Sequence, residues 1–378
     1  MVFKVEHAES LAFVQEKFAA FYANHDLSVP EVHRREFGFG MHKKIDFRHK
    51  AFRTNAELNA YFRQNAPLFA SYSTALYEFP DARPMEKKVF SGSDLVFDID
   101  KPTRDFTHEH NGVFCVECFA RVKKDSVKIL DCLRGDFGFK GVAVNFSGNK
   151  GFHFHLRSDE VRKLSQDSRR QLTEYLTGPE SVFVSGEEKG KDTALRGPSE
   201  KSLGWGKKFF DYAFAFIEGA SLGEVKEKGM RGRGAEEFFL RKKDVLELMR
   251  QGKWRFAPKK FWDAIYAEFK SENSVGVDAH VTLDLARLIR IPGSLHGETA
   301  LAARVVEPDR LPEFALRDSV VFSAGEKTIN VLPQVDMALD FPERLFLKKS
   351  EPCEVSLASG LFLLCKGKAT LLLREKNW

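Results

Sequence analysis

Two short alternating segments around a glycine-containing turn constrain the fold of this chain more than any other feature of its sequence. In VAVNF (142–146) and FHFHL (152–156) the even-numbered residues are apolar, and the turn SGNKG (147–151) lies between them. Because successive side chains of a strand point to opposite faces, this alternation predicts a β-hairpin with one buried face. The opposite face would carry Asn145, His153 and His155.

A second alternating segment, DLVFDID (94–100), predicts a strand that carries two acids. Its odd-numbered residues are apolar, and Asp98 and Asp100 would project from the other face. Two carboxylates so close together repel each other unless a cation intervenes, and such oxygens suit Mg²⁺ or Mn²⁺. The alternative is an exposed strand end whose acids face water.

Apolar spacing along the rest of the chain predicts an α/β fold of the α+β type, with helices inserted into one core. Residues 8–23 show helical spacing, whereas strand-like patterns occur at 36–156, 277–306 and 318–332. Helical spacing recurs at 160–177, 208–219, 235–251 and 260–272. We therefore expect an α/β core from 1–158 and 273–378, and a mostly helical inserted subdomain at 159–272.

Composition excludes several classes of protein. A hydrophobic fraction of 43% and a charged fraction of 30% exclude a disordered or collagen-like chain. The 36 phenylalanines predict a core filled largely by aromatic rings without a polar group. The net charge of +5 permits a nucleic-acid partner without implying one. Five cysteines, an odd number, argue against a disulfide framework and for a reducing compartment.

Neither a secretory signal nor a membrane span is predicted. Glu6 and Glu9 interrupt the N-terminal segment where a signal peptide needs an apolar stretch. The most apolar late segment, 357–373, is broken by Lys366 and Lys368 and falls short of the ~20 residues that a membrane helix needs. We expect a soluble intracellular protein with no membrane partner.

The hairpin turn 147–151 is a candidate phosphate site. Its two glycines would let the backbone approach a phosphate, while Lys150 and His153 would donate hydrogen bonds from the same side. The alternative is an ordinary glycine-containing hairpin with an incidental histidine.

The segment VDAHVTLDLARLIRIPGSLHG (277–297) offers one further acid, Asp278, and a polar cluster. Arg290, Ser294 and His296 are groups suited to triphosphate oxygens. The alternative is a basic helix end that leads into a Pro-Gly turn.

Four candidate zinc ligands follow the acidic strand within a few residues. They are His108, His110, Cys115 and Cys118, at spacings that suit tetrahedral Zn²⁺. A closed site of four protein ligands would be structural. The alternatives are a redox-active CxxC pair, which would need a helix N-terminus, and two buried thiols.

Together these motifs resemble the small catalytic subunit of archaeal and eukaryotic DNA primase. FDID (97–100), SGNKGFHFH (147–155) and VDAHVTLDLARLIRIPGSLHG (277–297) occur in the family's order, and REFGF (35–39) with RHKAF (48–52) adds support. The resemblance spans residues 10–335, and IRIPGSLHG (289–297) is similar to the archaeal version. It implies a primase-type core with an open cleft in a mixed sheet, a zinc knuckle at about 105–120 and a helical subdomain.

The resemblance also implies the residues of the site. Two catalytic Mg²⁺ or Mn²⁺ ions would be held by Asp98, Asp100 and Asp278. The phosphates of an incoming nucleotide would be bound by Ser147, Gly148, Asn149, Lys150, His153, Arg290 and His296, with Glu36 and Arg48 nearby. A structural Zn²⁺ would be held by His108, His110, Cys115 and Cys118.

The function implied is that of a DNA primase catalytic subunit. It would copy a single-stranded DNA template into short RNA primers, with DNA primers as a second product, from NTPs or dNTPs and with a large subunit as its partner. It would act in the cytoplasm of an archaeon, or in the nucleus if the chain were eukaryotic. The alternatives are a repair-type primase-polymerase and a non-catalytic zinc-dependent module that binds nucleic acid.

Overall fold

The computed structural model describes residues 8–102, 113–185, 195–322 and 328–372, which form two compact units. Unit 1 comprises the described residues of Met1–Leu130, Phe139–Thr173 and Gly276–Trp378, and unit 2 those of Asp131–Gly138 and Glu174–Val275. The predicted insertion, 159–272, differs from unit 2 at both ends. Residues 159–173 belong to unit 1 because the buried Arg169 donates hydrogen bonds to the carbonyls of Ser93 and Asp94 within that unit.

The described helices are numbered in chain order. They are α1 Ala8–Asn24, α2 Asn55–Asn65, α3 Val116–Gly135, α4 Asp159–Arg162, α5 Gln166–Thr177, α6 Gly204–Gly219, α7 Leu222–Glu227, α8 Gly232–Leu240, α9 Lys242–Arg250, α10 Lys259–Asn273, α11 Ala279–Leu283 and α12 Leu357–Cys365. Short 3₁₀ helices lie at Val32–Arg34, Met85–Lys88, Pro308–Glu313 and Leu316–Ser319. The helix predicted at 8–23 is thus confirmed as α1.

The described strands are short. They are β1 Phe37–Gly40, β2 Phe47–Lys50, β3 Phe69–Ser73, β4 Ala75–Tyr77, β5 Phe90–Ser93, β6 Leu95–Ile99, β7 Ala143–Phe146, β8 Phe152–Leu156, β9 Val184–Ser185, β10 Leu195–Arg196, β11 Leu288–Arg290, β12 Val305–Val306, β13 Thr328–Pro333, β14 Met337–Leu339, β15 Leu345–Leu347, β16 Cys353–Ser356 and β17 Ala369–Leu371.

Two four-stranded sheets of unit 1 position the candidate site. One has the order β12-β7-β8-β6 and the other β11-β3-β1-β2. The predicted hairpin is confirmed: β7 and β8 pair antiparallel, with Val144 opposite Phe154 and Asn145 opposite His153. The predicted mixed sheet is wrong for the described strands, because every pair in these two sheets is antiparallel.

Each unit has its own aromatic core, as the abundance of phenylalanine predicted. The described core of unit 1 includes Phe18, Phe37, Phe39, Phe62 and Phe69, all 2% exposed or less. Unit 2 packs Phe209, Phe238, Phe261 and Phe269 around Trp254 and Trp262. Among the described residues, no helix is long and apolar enough to cross a membrane.

The prediction of strands throughout 36–156 is wrong for two segments. Helix α2 begins after Thr54, whose side chain accepts a hydrogen bond from Glu57 N and caps the helix. In α3, the buried apolar residues Phe119, Val122, Ile129 and Leu133 follow one another at three, seven and four positions, which is helical periodicity. The strand-like pattern predicted at 277–306 is similarly interrupted by α11.

Candidate functional site

Three acids, two of them in one sequence motif and one from far along the chain, lie near one another at the end of strand β6. Asp98 lies on that strand, Asp100 follows it, and Asp278 precedes helix α11. The backbone N–H of Asp278 donates to the carbonyl of Asp98 at 2.9 Å. The hydroxyl of Thr282 donates to the carbonyl of Val96 at 2.8 Å and fixes α11 against the same strand. Asp278 therefore caps a helix, where a strand was predicted, but it lies beside the acid pair.

The electrostatics of Asp98 show that these acids interact. Its side chain is 16% exposed, and its Oδ1 atom is buried without a hydrogen-bond partner among the described residues. Burial raises the pKa of Asp98 to about 7, and the carboxylates of Asp100 and Asp278 act in the same direction. The cations Arg287 and Lys44 lower this pKa but do not offset the acids.

A divalent cation fits this cluster on physical grounds. A buried carboxylate oxygen with no partner, beside two further acids, is stabilised by a cation that binds it. As they stand, no three His, Cys, Asp or Glu side chains in the described ranges are gathered closely enough to form a finished metal site. The cluster thus supplies charge and oxygen ligands, and the role of its three acids as metal ligands stays a prediction.

His153 faces the acids from the neighbouring strand. In the register of β6 and β8 it lies opposite Asp98, and its Nε2 atom is 3.5 Å from Asp98 Oδ1. Burial, followed by the charges of Arg290 and Arg287, lowers the pKa of His153 to about 3. The ring is therefore neutral near pH 7. It does not offset the negative charge of Asp98.

The turn between β7 and β8 is held closed by Ser147. Its backbone N–H donates to the carbonyl of Gly151 at 2.8 Å, and its Oγ atom accepts from the N–H groups of Asn149 and Gly151. Lys150 is exposed at the tip. The serine oxygen thus serves the backbone of the turn, and phosphate binding by this turn stays a prediction.

The two glycines of this turn allow close approaches to other parts of the site. Gly148 has φ +80°, and an added Cβ atom would lie 3.0 Å from the Cβ of His296. At Gly151 an added Cβ would lie 2.1 Å from the carbonyl oxygen of Ile99, at the end of β6. Glycine is therefore required where the turn meets the acidic strand.

Arg290 and His296 reach the site from the second sheet and the loop that follows it. The Arg290 guanidinium lies 5.8 Å from the ring of Phe69, and the His296 ring lies 6.1 Å from the same phenylalanine. Burial lowers the pKa of Arg290 to about 10, so this side chain stays charged near pH 7.

His296 is neutral and presents a donor. Burial, followed by the charges of Arg290, Lys366 and Lys44, lowers its pKa well below the ordinary value. Its Nδ1 atom accepts from the N–H of Glu298 at 3.1 Å, so the proton of the neutral ring is on Nε2. By contrast, Ser294 is fully buried and donates to the carbonyl of Ile291, so it does not join this cluster.

Three cations of the site were not assigned by sequence reasoning. They are Lys44, Arg287 and Lys366, which act on the pKa values of Asp98, His153 and His296. No local motif marks Lys44 or Lys366, because both lie far from the hairpin in the sequence. Arg287 stands three residues before Arg290, and only the fold shows that its charge acts on Asp98.

Glu36, which is fully buried, forms an ion pair with the partly exposed Arg48. Arg48 donates to the Glu36 carboxylate at 2.6 and 3.1 Å, and the fully buried Lys88 lies 2.8 Å from it. Burial favours the neutral acid, but hydrogen bonds from Arg48 and Lys88 hold the pKa of Glu36 below its ordinary value. Glu36 therefore positions Arg48, whose side chain remains 36% exposed. Lys88 was not predicted, and no sequence pattern identifies it.

The zinc prediction falls partly outside the described residues. His108 and His110 lie there, whereas Cys115 and Cys118 stand at the start of α3. The N–H of Cys118 donates to Cys115 Sγ at 3.2 Å. A helix N-terminus is what a redox CxxC would need, but burial, followed by the neighbouring Cys115, raises the pKa of Cys118 to about 11, opposite to an activated thiol.

Comparison with known proteins supports the resemblance found in the sequence. The sequence profile of the family described as DNA primase small subunit matches residues 97–308. DNA primase small subunit PriS of Methanothrix thermoacetophila is 31% identical over 96% of this chain and 99% of that protein. The proteins of the same name from Methanosarcina barkeri (30%, 94% of this chain, 95% of that protein) and Picrophilus torridus (31%, 92% and 94%) are similar. The chain therefore belongs to the DNA primase small subunit family.

Proposed function

We propose that this chain is the catalytic subunit of a DNA primase, which makes short RNA primers on single-stranded DNA by nucleotidyl transfer with release of pyrophosphate. The observation that supports this most is the meeting of Asp98, Asp100 and Asp278 beside a cluster of cations. Acids for divalent cations next to cations for a triphosphate are the two parts that phosphoryl transfer needs.

The acids would hold two Mg²⁺ or Mn²⁺ ions through their carboxylate oxygens. When bound, these ions supply activation of a 3′-hydroxyl group and neutralisation of triphosphate charge. Asp98 contributes a buried oxygen that has no hydrogen-bond partner among the described residues. The backbone N–H of Asp278 bonds to the carbonyl of Asp98, which holds Asp278 beside it, and Asp100 is exposed to solvent. No protein nucleophile is required, so positioning and electrostatics carry the reaction.

The cations and neutral donors would bind the incoming nucleoside triphosphate. Arg290 is half-buried and charged, Lys150 is exposed at the hairpin tip, and His296 presents an Nε2–H donor. These groups favour the negative charge that develops on the phosphates as pyrophosphate leaves. Arg48, which strand β2 carries and which the Glu36 carboxylate holds in place, would complete the nucleotide site.

The partners follow from the family. Because the relatives are named small subunits, we expect this chain to act with a large subunit. A structural Zn²⁺ on His108, His110, Cys115 and Cys118 remains part of the proposal, with a single-stranded DNA template and NTPs or dNTPs as the other partners.

A de novo synthesis assay tests the proposal. The chain, alone and with its large subunit, is given a bare single-stranded DNA template, Mg²⁺ or Mn²⁺, and labelled NTPs or dNTPs in separate reactions. We expect labelled RNA primers from the unaltered chain and none from Asp98→Ala or Asp278→Ala, while Asp340→Ala, at an exposed acid, keeps full activity.

Binding of Mn²⁺ is measured in parallel, by electron paramagnetic resonance, and should weaken in Asp98→Ala and Asp278→Ala. Full activity in either variant would refute the two-metal mechanism. Products that form only from a pre-made 3′ end would favour a repair-type primase-polymerase over a replicative primase.

A further inference from the structure

Lys366 lies at the C-terminal end of helix α12. Leu361, Phe362, Leu363 and Leu364 are fully buried, so the helix is fixed in unit 1. The backbone N–H of Lys366 donates to the carbonyl of Phe362, and Gly367, with φ +61°, ends the helix. The position of Lys366 is therefore set by the core.

The side chain of Lys366 points to the hairpin turn 147–151. Its Nζ atom donates to Asn149 Oδ1 at 3.3 Å, and it lies 5.5 Å from the ring of Phe362. The amide nitrogen of Asn149 in turn donates to Glu298 at 3.3 Å. The side-chain amide of Asn149 thus connects the hairpin turn to Lys366, which is more than 200 residues away in the sequence.

Lys366 is a largely buried cation with charges of both signs nearby. Glu298 raises its pKa and Lys150 lowers it, but burial is the largest influence and brings the pKa to about 8. The positive charge of Lys366 also lowers the pKa of His296. Across the described part of the chain, no carboxylate lies within 4.0 Å of its ammonium group, which donates its hydrogen bond to a neutral amide. A half-buried ammonium group that donates its hydrogen bond to a neutral amide among the described residues is stabilised when an anion binds it.

We propose that Lys366 is a further phosphate-binding residue of the nucleotide site, and that its ammonium group moves from Asn149 to the triphosphate of the incoming nucleotide. The proposal rests on the proposed function, since it places a triphosphate beside Lys150 and His296. It gives the C-terminal segment a direct part in nucleotide binding.

Equilibrium binding of ATP and AMP, with Mg²⁺ present and no template, tests this directly. Lys366→Met keeps the apolar stem and removes the charge, and Lys368→Met is the matched control from the same turn. Charge-assisted hydrogen bonds are worth about 1.5–3 kcal/mol, so we expect Lys366→Met to weaken ATP binding by about 10- to 100-fold. Binding of AMP should stay unchanged, Lys366→Arg should restore most ATP affinity, and Lys368→Met should bind as the unaltered chain does.

In primer extension, the KM for NTP should rise in Lys366→Met with little change in kcat. Unaltered ATP affinity in a folded Lys366→Met variant would overturn the inference, and so would equal losses for ATP and AMP, because these indicate a distorted pocket. Failure of the proposed function looks different. If the unaltered chain bound ATP more tightly than Lys366→Met but made no primers, the proposed function would be refuted, whereas the role of Lys366 in phosphate binding would be supported.

Discussion

Replacing Asp98 by asparagine should stabilise the metal-free protein at alkaline pH while abolishing its activity. The Asp98 carboxyl is buried beside Asp100 and Asp278, and its pKa rises from 3.8 to about 7. In the folded state the ionised form is therefore disfavoured, and asparagine mimics the neutral acid at every pH. If Asp98 holds a cation as proposed, its carboxylate is maintained at a cost in stability.

The size and the pH window follow from that pKa. A rise of about 3 units corresponds to about 4 kcal/mol, because each unit is worth 1.36 kcal/mol. The folded pKa lies above the unfolded one, so the stability due to this group is complete below about pH 4 and is lost as the pH rises through about 7. Asp98→Asn should therefore gain about 4 kcal/mol at pH 8 and about 2 kcal/mol at pH 5.

Hydrogen exchange of the β6 and β8 amides in EDTA is the appropriate assay, since it reports on unit 1. Tryptophan fluorescence would report mainly on unit 2, where Trp205, Trp254 and Trp262 lie, and it serves as an internal reference. Addition of Mn²⁺ should stabilise the unaltered protein more than the variant, because only the former has the complete set of acids.

The control variant is Asp340→Asn, which removes one exposed acid and changes the net charge equally. It should leave the exchange rates of both strands unchanged at either pH. If Asp98→Asn were no more stable than the unaltered protein at pH 8, or gained equally at pH 5 and pH 8, the three acids would not interact as described.

Three further predictions concern the surroundings of the acids. Gly151→Ala would place a Cβ atom 2.1 Å from the carbonyl oxygen of Ile99 at the end of β6, and should lower the free energy of unfolding by about 2–3 kcal/mol in a thermal unfolding assay. The control Gly135→Ala, whose added Cβ atom has no neighbour within 4 Å among the described residues, should leave the free energy of unfolding unchanged. Glu36→Gln would leave the buried Lys88 without its counter-charge and should cost about 3–5 kcal/mol in urea unfolding, part of which a second change, Lys88→Met, should restore. The ring of His153, with a pKa of about 3, should stay neutral from pH 5 to pH 8, and a titration midpoint near 6.5 in its NMR shifts would contradict the burial described.

Local patterns identified much of the fold. The hairpin β7–β8, the acidic strand β6 and helix α1 appear where alternation or helical spacing predicted them. Each of these elements has one buried face and one polar face. The spacing of apolar residues in the sequence therefore follows directly from the structure and identifies the element. Helix α3 was not predicted, although its buried apolar residues have helical spacing, because the prediction treated 36–156 as one strand-like region.

The candidate site was predictable only in part. Asp98, Asp100 and the turn residues stand in compact motifs, but Asp278 was expected on a strand and caps a helix. Lys88 and Lys366 belong to no motif, since their importance comes from burial and from partners far along the chain. Whether Glu36 binds a ligand or supports Arg48 depends on which cations reach its carboxylate.

The sequence by itself determined the alternation of strands and turns, the positions of the acids, and membership of a family. Only the tertiary structure decided which charges meet: a raised pKa at Asp98, a neutral ring at His153 and a lysine from the chain end beside Asn149. The physical reason is that periodicity is a local property of the chain. Desolvation and Coulomb interactions depend on distances in space, which folding sets between residues that the sequence keeps apart.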